Sequence, residues 1–401
     1  MRQKYYVFFI AESLPQPMAH LVQVVQCANA AANLGYPTLL VYVKQGKAAQ
    51  NPIDWVYPFR PQPPSAEIAS YYHIDNNNLK VLSLALPWPI GRIQPQRAWS
   101  TPSSWLCKYY LPLHLMQHTQ LVHTRNWNFA QAAIRLGIPT IYEQHHLEEK
   151  HYPSEVVQHP LLQTAVTVVE SVRQDMVKNG MPSNKVVTLH NGYNRLFMQR
   201  QPHKAEAWRS RLLGTNYERL VVYSGALYTF KGVDLLLEIA KGFPHVKFAF
   251  AGGPDEQRQQ YERMVADRHL ENVSFLGFIT QDQLASLLQA ADVLAHPHLD
   301  GKAASFTSPL KFFDYMASGT PIIASEISSM IEFKNAGVVA AWCPPNSPHA
   351  FASCLTQVLA EYPHKFDGYI DSVDYIRQFS WENRITKILN RVDGALRPQI
   401  I

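Results

Sequence analysis

The sequence predicts two α/β domains, each a doubly wound, Rossmann-like sheet of parallel strands. Three observations lead there. The chain has 401 residues, beyond the size at which one hydrophobic core keeps growing, so two domains of about 150–200 residues are expected. Short β-branched or aromatic runs alternate with amphipathic stretches of helical period along both halves, the pattern of parallel βα units. Glycine turns follow several of these runs, and in such sheets ligands bind outside the carboxyl ends of the strands.

In the first half, the pattern places a strand over Tyr5–Ala11, a helix over His20–Leu34 closed by Gly35, and a strand over Thr38–Val43. Residues Pro58–Ser104 are rich in Pro, Asn and Gln and read as long loops around one strand, Val81–Leu86. Loops of this kind carry substrate contacts. Then come strand Leu121–Thr124, helix Asn128–Leu136, strand Thr140–Glu143, strand Ala165–Val169, helix Ser171–Asn179 and strand Val186–Leu189. The polar stretch Arg195–Arg219 shows no strand pattern, and the boundary is placed near its start, giving domains 1–195 and 196–377.

The second half is more regular. Strands are expected over Leu220–Ser224, Val246–Ala251, Val273–Leu276, Val293–His296 and Ile322–Ser325. Helices are expected over Val233–Gly242, Asp255–Leu270, Asp282–Ala290 and Pro309–Ser318.

Composition excludes several classes. Hydrophobic residues make up 47% and charged residues 17%, as in ordinary globular proteins, and no low-complexity tract occurs. Met1–Ala11 is too short for a membrane span and lacks a small-residue cleavage pattern, so it reads as a strand and not as a signal. Cys27, Cys107, Cys343 and Cys354 fit neither metal-ligand nor disulfide spacing and suit a reducing cytoplasm, as small buried hydrophobes. With no Asp-x-Asp pair and no His/Cys cluster, no catalytic metal is expected. Neither Gly-x-Gly-x-x-Gly after the first strand nor a Gly-x4-Gly-Lys-Ser/Thr loop occurs.

The net charge of +5 is unevenly spread: residues 1–200 hold 17 Lys and Arg against 10 Asp and Glu, leaving 19 against 21 in the rest. The basic half, with Arg92, Arg97, Lys108, Arg125, Lys150, Arg173 and Lys178, reads either as a surface that meets an anion or as a plain solvated surface.

Two constellations carry chemistry. After strand Leu220–Ser224 come Gly225, Ala226 and, just before a helix, Lys231-Gly232. A helix N-terminus presents free N–H groups and partial positive charge, and a lysine there adds a full one, which suits a diphosphate. A capping turn with an exposed lysine fits the fragment equally well. The second constellation is Ser308-Pro309-Leu310-Lys311-Phe312-Phe313-Asp314. Ser308 is suited to the N-cap and Pro309 to the first helical position. Asp314 can accept hydrogen bonds from the vicinal hydroxyls of a ribose while the amides near Leu310 face a phosphate, or it is a solvated helix residue.

Together, in this order, the two constellations resemble those of the retaining glycosyltransferases of family 4, which have the two-domain GT-B architecture. Ala251-Gly252-Gly253-Pro254, Val273–Gly277 with Phe278, and Ala291-Asp292-Val293 resemble that family's successive strand ends. In the first domain, Tyr142-Glu143-Gln144-His145 resembles the segment that places a histidine beside the donor sugar, and Asn191-Gly192 the turn before the linker. Phe379-Ser380-Trp381-Glu382 resembles the stretch after which a C-terminal helix, here 378–401, crosses back onto the first domain. Three positions depart from the pattern: Ala226 stands where the family has an arginine, Phe306 where it has its first acidic residue, and Pro17-Met18-Ala19 where it has a Gly-Gly loop.

The resemblance implies two domains facing each other across a cleft, and a metal-independent, retaining hexosyl transfer from a nucleotide diphosphate sugar, of which UDP-glucose is the first choice. Lys231 and His145 are then the catalytic candidates. Gly225, Ala226, Phe278, Ser308, Pro309, Leu310 and Asp314 are the donor-binding candidates, and Met18, Ala19, His20 and Arg125 those for the acceptor. No cofactor and no nucleic-acid partner are expected, and a cytoplasmic location is. The acceptor reads as a sugar phosphate, as in sucrose-phosphate synthases, or as a lipid or glycan reached at a membrane surface. A nucleotide-sugar-binding protein without catalysis is the third reading.

Overall fold

Apolar side chains on both faces of a strand require helices on both sides, and that is how the strands are arranged here. Tyr6–Phe9 are buried without interruption in the first strand, as are all six residues of Val246–Ala251 in the second half. The computed structural model describes residues 3–44, 51, 53–74, 78–86, 102–369 and 374–400. Arg92 and Arg97 of the basic set lie outside the described residues, as does part of the expected loop region.

The chain divides into two units, Met1–His190 with Trp381–Ile401, and Asn191–Ser380. In the first, strands β1 (Tyr5–Phe9), β2 (Thr38–Lys44), β3 (Leu79–Ala85), β4 (Thr119–Thr124), β5 (Thr140–Glu143), β6 (Leu162–Thr167) and β7 (Val186–Thr188) form a sheet in the order β3-β2-β1-β4-β5-β6-β7. Every pairing is parallel. The C-terminal helix Trp381–Leu389 belongs to this unit and packs on the helix Ala19–Asn33.

In the second unit, β8 (Arg219–Ser224), β9 (Val246–Ala251), β10 (Val273–Gly277), β11 (Val293–His296), β12 (Ile322–Ser325) and β13 (Ala341–Cys343) run parallel in the order β10-β9-β8-β11-β12-β13. Each sheet reverses its winding once, between β1 and β4 and between β8 and β11. Those reversals open crevices at the carboxyl ends of the strands, the usual ligand position in doubly wound sheets.

The structure corrects several local expectations. The region read as loops contains a helix, Ala66–Tyr72, capped by Ser65, which accepts from the Ile68 N–H at 3.3 Å. Its buried side are Ile68 and Tyr72, too few apolar positions to give a helical period. The polar stretch after Arg195, expected to hold no strand, is helical over Pro202–Leu213 and buries Ala205 and Leu212. Ser308 does not cap its helix: the N-cap is Pro309, the helix runs Leu310–Ser318, and Ser308 Oγ is buried without a hydrogen-bond partner. Cys27 and Cys343 are buried as expected, whereas Cys107 and Cys354 are partly exposed.

Candidate donor and acceptor sites

The second unit gathers its chemistry where β8 and β11 part. Gly232, at φ +75°, caps the helix Val233–Ala240, and a Cβ there would lie 1.7 Å from the carbonyl oxygen of Pro297. No side chain fits, so the Lys231 turn is held directly against the end of β11. On the other side, the Tyr315 hydroxyl accepts from the Ser224 N–H at 2.7 Å, fixing the helix Leu310–Ser318 to the end of β8. Asn191 adds a tie by donating through Nδ2 to the Ser308 carbonyl at 2.7 Å.

Four basic side chains meet in this crevice: Lys231, Lys311, His296 and His298. Lys231 Nζ sits 4.9 Å from the Phe230 ring centre and Lys311 Nζ 3.6 Å from that of Tyr223. Burial lowers Lys231 to about 8, and burial together with Lys231 brings Lys311 well below the usual lysine range. His296 is driven well down by burial and by the charges of Lys311, His298 and Lys231, and His298 falls to about 4, again chiefly through burial. Among the described residues neither lysine has a carboxylate partner, and both ring nitrogens of His296 and Nε2 of His298 are buried without hydrogen-bond partners. The two histidines are thereby neutral at physiological pH, so the positive charge of the crevice rests on the lysines. A buried ammonium with no counter-charge is costly, and an anion in the crevice holds it in its charged form.

Gly225 and Ala226 directly follow β8, with Gly225 beside Lys311, and Ser308, Pro309 and Leu310 lead into the helix Leu310–Ser318. Lys311, for which the sequence pattern suggested no role, stands in the same crevice. A lysine set directly before the apolar pair Phe312-Phe313 at a helix start was the available signal. Asp314 lies one turn on and is partly buried; burial raises it to about 8 against the opposing backbone N–H of Asn194. Its neighbour is therefore the start of the linker. Phe278 follows the edge strand β10 and is 51% exposed.

In the first unit, the candidates fall after three neighbouring strands: Met18, Ala19 and His20 after β1, Arg125 after β4 and His145 after β5. Met18 is the N-cap of the helix Ala19–Asn33, and His20 Nε2 donates to Glu12 at 3.3 Å. The residue that organises the rest is Glu143, buried at the end of β5. It accepts from Arg384 Nη2 at 2.6 Å, His123 Nε2 at 2.7 Å, Gln23 Nε2 at 3.0 Å, and His145 Nε2. Burial alone would raise Glu143, but Arg384, His145 and His123 outweigh it and hold the carboxyl well below its ordinary range.

A carboxylate only accepts, so the bond to Glu143 places the His145 proton on Nε2 and leaves Nδ1 as an acceptor. Burial, with Arg125 adding to it, brings His145 down to about 3. The ring is neutral at physiological pH. Arg125 donates through Nη1 to Gln23 Oε1 at 3.3 Å, so Gln23 bridges it to Glu143. Glu143 and Arg384 were not picked out from the sequence. Arg384 falls in register with Trp381, Ile385 and Ile388 on the buried face of the last helix, and a charged residue on an apolar stripe was the available clue.

Residues 218–361 match the family model of the glycosyl transferases group 1. The second unit thus carries a glycosyltransferase group 1 domain, and the two Rossmann-like units have the fold of GT-B glycosyltransferases. A D-inositol 3-phosphate glycosyltransferase of Mycolicibacterium gilvum is 28% identical over 185 residues, 44% of this chain and 40% of that protein. The chain covers 58% and 40% of the lengths of the first two curated relatives it matches. Among solved structures, Anabaena Alr3699/HepE in complex with UDP and glucose aligns with a TM-score of 0.68 at 15% identity, covering 96% of this chain and 99% of that one. Sucrose-phosphate synthase from Thermosynechococcus elongatus aligns with a TM-score of 0.65 at 17% identity, over 96% and 97%. At these identities the structural likeness speaks for the fold.

No helix among the described residues is long and apolar enough to cross a membrane, and no group of three or more His, Cys, Asp or Glu there could hold a metal ion.

Proposed function

We propose that the protein is a metal-independent, retaining glycosyltransferase that moves a hexosyl group, glucose from UDP-glucose by first choice, to a small phosphorylated acceptor. The observation that carries this reading is the crevice between β8 and β11, where Lys231 and Lys311 converge without a counter-anion beside the unpartnered ring nitrogens of His296 and His298, next to the helix Leu310–Ser318. A nucleoside diphosphate supplies the missing charge. As the glycosidic bond breaks, negative charge builds on the diphosphate, and cations placed for that charge stabilise the transition state more than the ground state. His145, neutral with Nδ1 as acceptor, is assigned to a hydroxyl of the donor sugar. Arg125 is assigned to the acceptor phosphate; a relative named for D-inositol 3-phosphate favours a phosphorylated acceptor.

The test is product formation from UDP-glucose, GDP-mannose and ADP-glucose with fructose 6-phosphate, inositol 3-phosphate and their unphosphorylated counterparts, with the anomer assigned by NMR. The expected result is transfer to a phosphorylated acceptor with retention, undiminished by a chelator. Lys231→Ala is expected to lower turnover by about a hundredfold, as when one transition-state donor is removed. Nucleotide-sugar binding without transfer or hydrolysis would leave a binding protein, and transfer to lipid-linked acceptors alone would move the acceptor to a membrane surface.

A further inference from the structure

We infer that Lys311 is the second diphosphate-binding cation of this protein, taking the place of the arginine absent at Ala226. The inference rests on the nucleotide-sugar reading above and adds a residue to it.

At the N-terminus of the helix Leu310–Ser318 no side chain caps the first turn, and its cap position is Pro309, which has no N–H. Lys311 stands in that turn, and its stem reaches back across the crevice to the glycine turn after β8. A Cβ built on Gly225 would lie 3.6 Å from Lys311 Cδ and 3.9 Å from Nζ. The ammonium thus sits beside the loop in which position 226 follows, the position where an arginine would project. Tyr223 holds both parts of this arrangement: its ring lies under Nζ at 3.6 Å, and its hydroxyl donates to the Ala226 carbonyl at 2.6 Å.

A lysine kept for stability would be expected to pair with a carboxylate or reach solvent along its stem. Lys311 has no ion pair among the described residues and lies near a second lysine and two histidines, one of which, His296, is fully buried with both ring nitrogens unpartnered. Burial lowers Lys311, and so does Lys231. The arrangement costs stability in the free protein and is relieved by a polyanion, which is what a ligand-binding role requires.

The test is calorimetric binding of UDP and of uridine to the full chain, with melting temperatures measured in parallel. Lys311→Met keeps the volume of the stem and removes the charge. It is expected to weaken UDP binding by roughly ten- to a hundredfold, the range of a charge-assisted hydrogen bond. Uridine affinity should be unchanged and the melting temperature equal or higher. Adding Ala226→Arg to Lys311→Met should restore UDP affinity, because the arginine returns a cation to the same face. Unchanged UDP affinity in Lys311→Met, a parallel loss of UDP and uridine binding with a lowered melting temperature, or an unrestored double variant overturns the inference while leaving the nucleotide-sugar reading in place. Wild-type protein that binds neither UDP, ADP nor GDP overturns that reading, and this inference with it.

Discussion

Arg384, four residues into the C-terminal helix, donates to the Glu143 carboxylate at 2.6 Å, and both side chains are almost fully buried. The helix therefore does more than cover the first unit: it supplies the main positive charge for the carboxylate that orients His145. Arg384→Ala would strand that carboxylate in an apolar setting, and breaking such a pair costs about 3–5 kcal/mol. A urea titration should show the midpoint falling accordingly. Arg384→Lys should recover part of the loss, since one charge remains but not the forked geometry that also reaches the Leu189 and His190 carbonyls. A midpoint unchanged in Arg384→Ala would mean Glu143 is sustained by its histidines alone.

His145 gives a prediction about acid stability. Its ordinary value near 6.5 is lowered to about 3 in the folded protein, chiefly by burial. The unfolded chain therefore takes up a proton first as pH falls, and stability present above pH 6.5 is lost progressively down to about pH 3. His145→Gln keeps a donor for Glu143 and does not titrate, so its melting temperature should fall less steeply than that of the wild type between pH 6.5 and 5. Parallel curves would show that His145 is not the group responsible.

Asp314 has the opposite sign. Burial raises it from 3.8 to about 8, so the folded protein holds this proton more tightly than the unfolded chain does. Its contribution is full below about 3.8 and declines as pH rises towards 8. Asp314→Asn mimics the protonated form, and its melting temperature relative to wild type should climb from pH 5 to pH 8. If Asp314 also binds the ribose hydroxyls, the same variant should bind UDP more weakly. Equal UDP affinity would return Asp314 to a purely structural place beside Asn194.

Much of this site was legible in the sequence, because its parts are local. Gly225, Lys231 and the Ser308–Asp314 run sit within two short segments whose turn and helix signals depend on near neighbours. What escaped depends on contacts across the chain. Glu143 and Arg384 are separated by 241 positions, and although Arg384 stands on the apolar stripe of its helix, neither segment names the partner. Lys311 was in view but carried no assigned role, since its lack of a counter-ion is a property of the fold. Ser308 failed in the opposite direction: its type suited an N-cap, yet the extended Pro309 occupies that position, leaving the hydroxyl for other partners.

Arg125 offers the sharpest test of the acceptor. It lies just past β4, is partly buried, and is lowered by that burial even though Glu143 works in the other direction. Its polar contact is with Gln23, a neutral partner at 3.3 Å. An arginine that served structure alone would be expected to hold a carboxylate directly, whereas Arg125 reaches one through an amide and keeps donors for a ligand. If a phosphorylated acceptor binds there, Arg125→Ala should raise the acceptor KM by roughly tenfold or more, a charge-assisted bond being worth about 1.5–3 kcal/mol. The donor KM should hardly move, because the arginine touches one substrate. A structural role predicts the reverse, a lower melting temperature from the loosened Gln23–Glu143–His145 chain with both KM values little changed. Comparing fructose 6-phosphate with fructose in both proteins completes the cycle: the preference for the phosphorylated sugar should collapse in Arg125→Ala, and a preference that survives intact places the acceptor phosphate elsewhere.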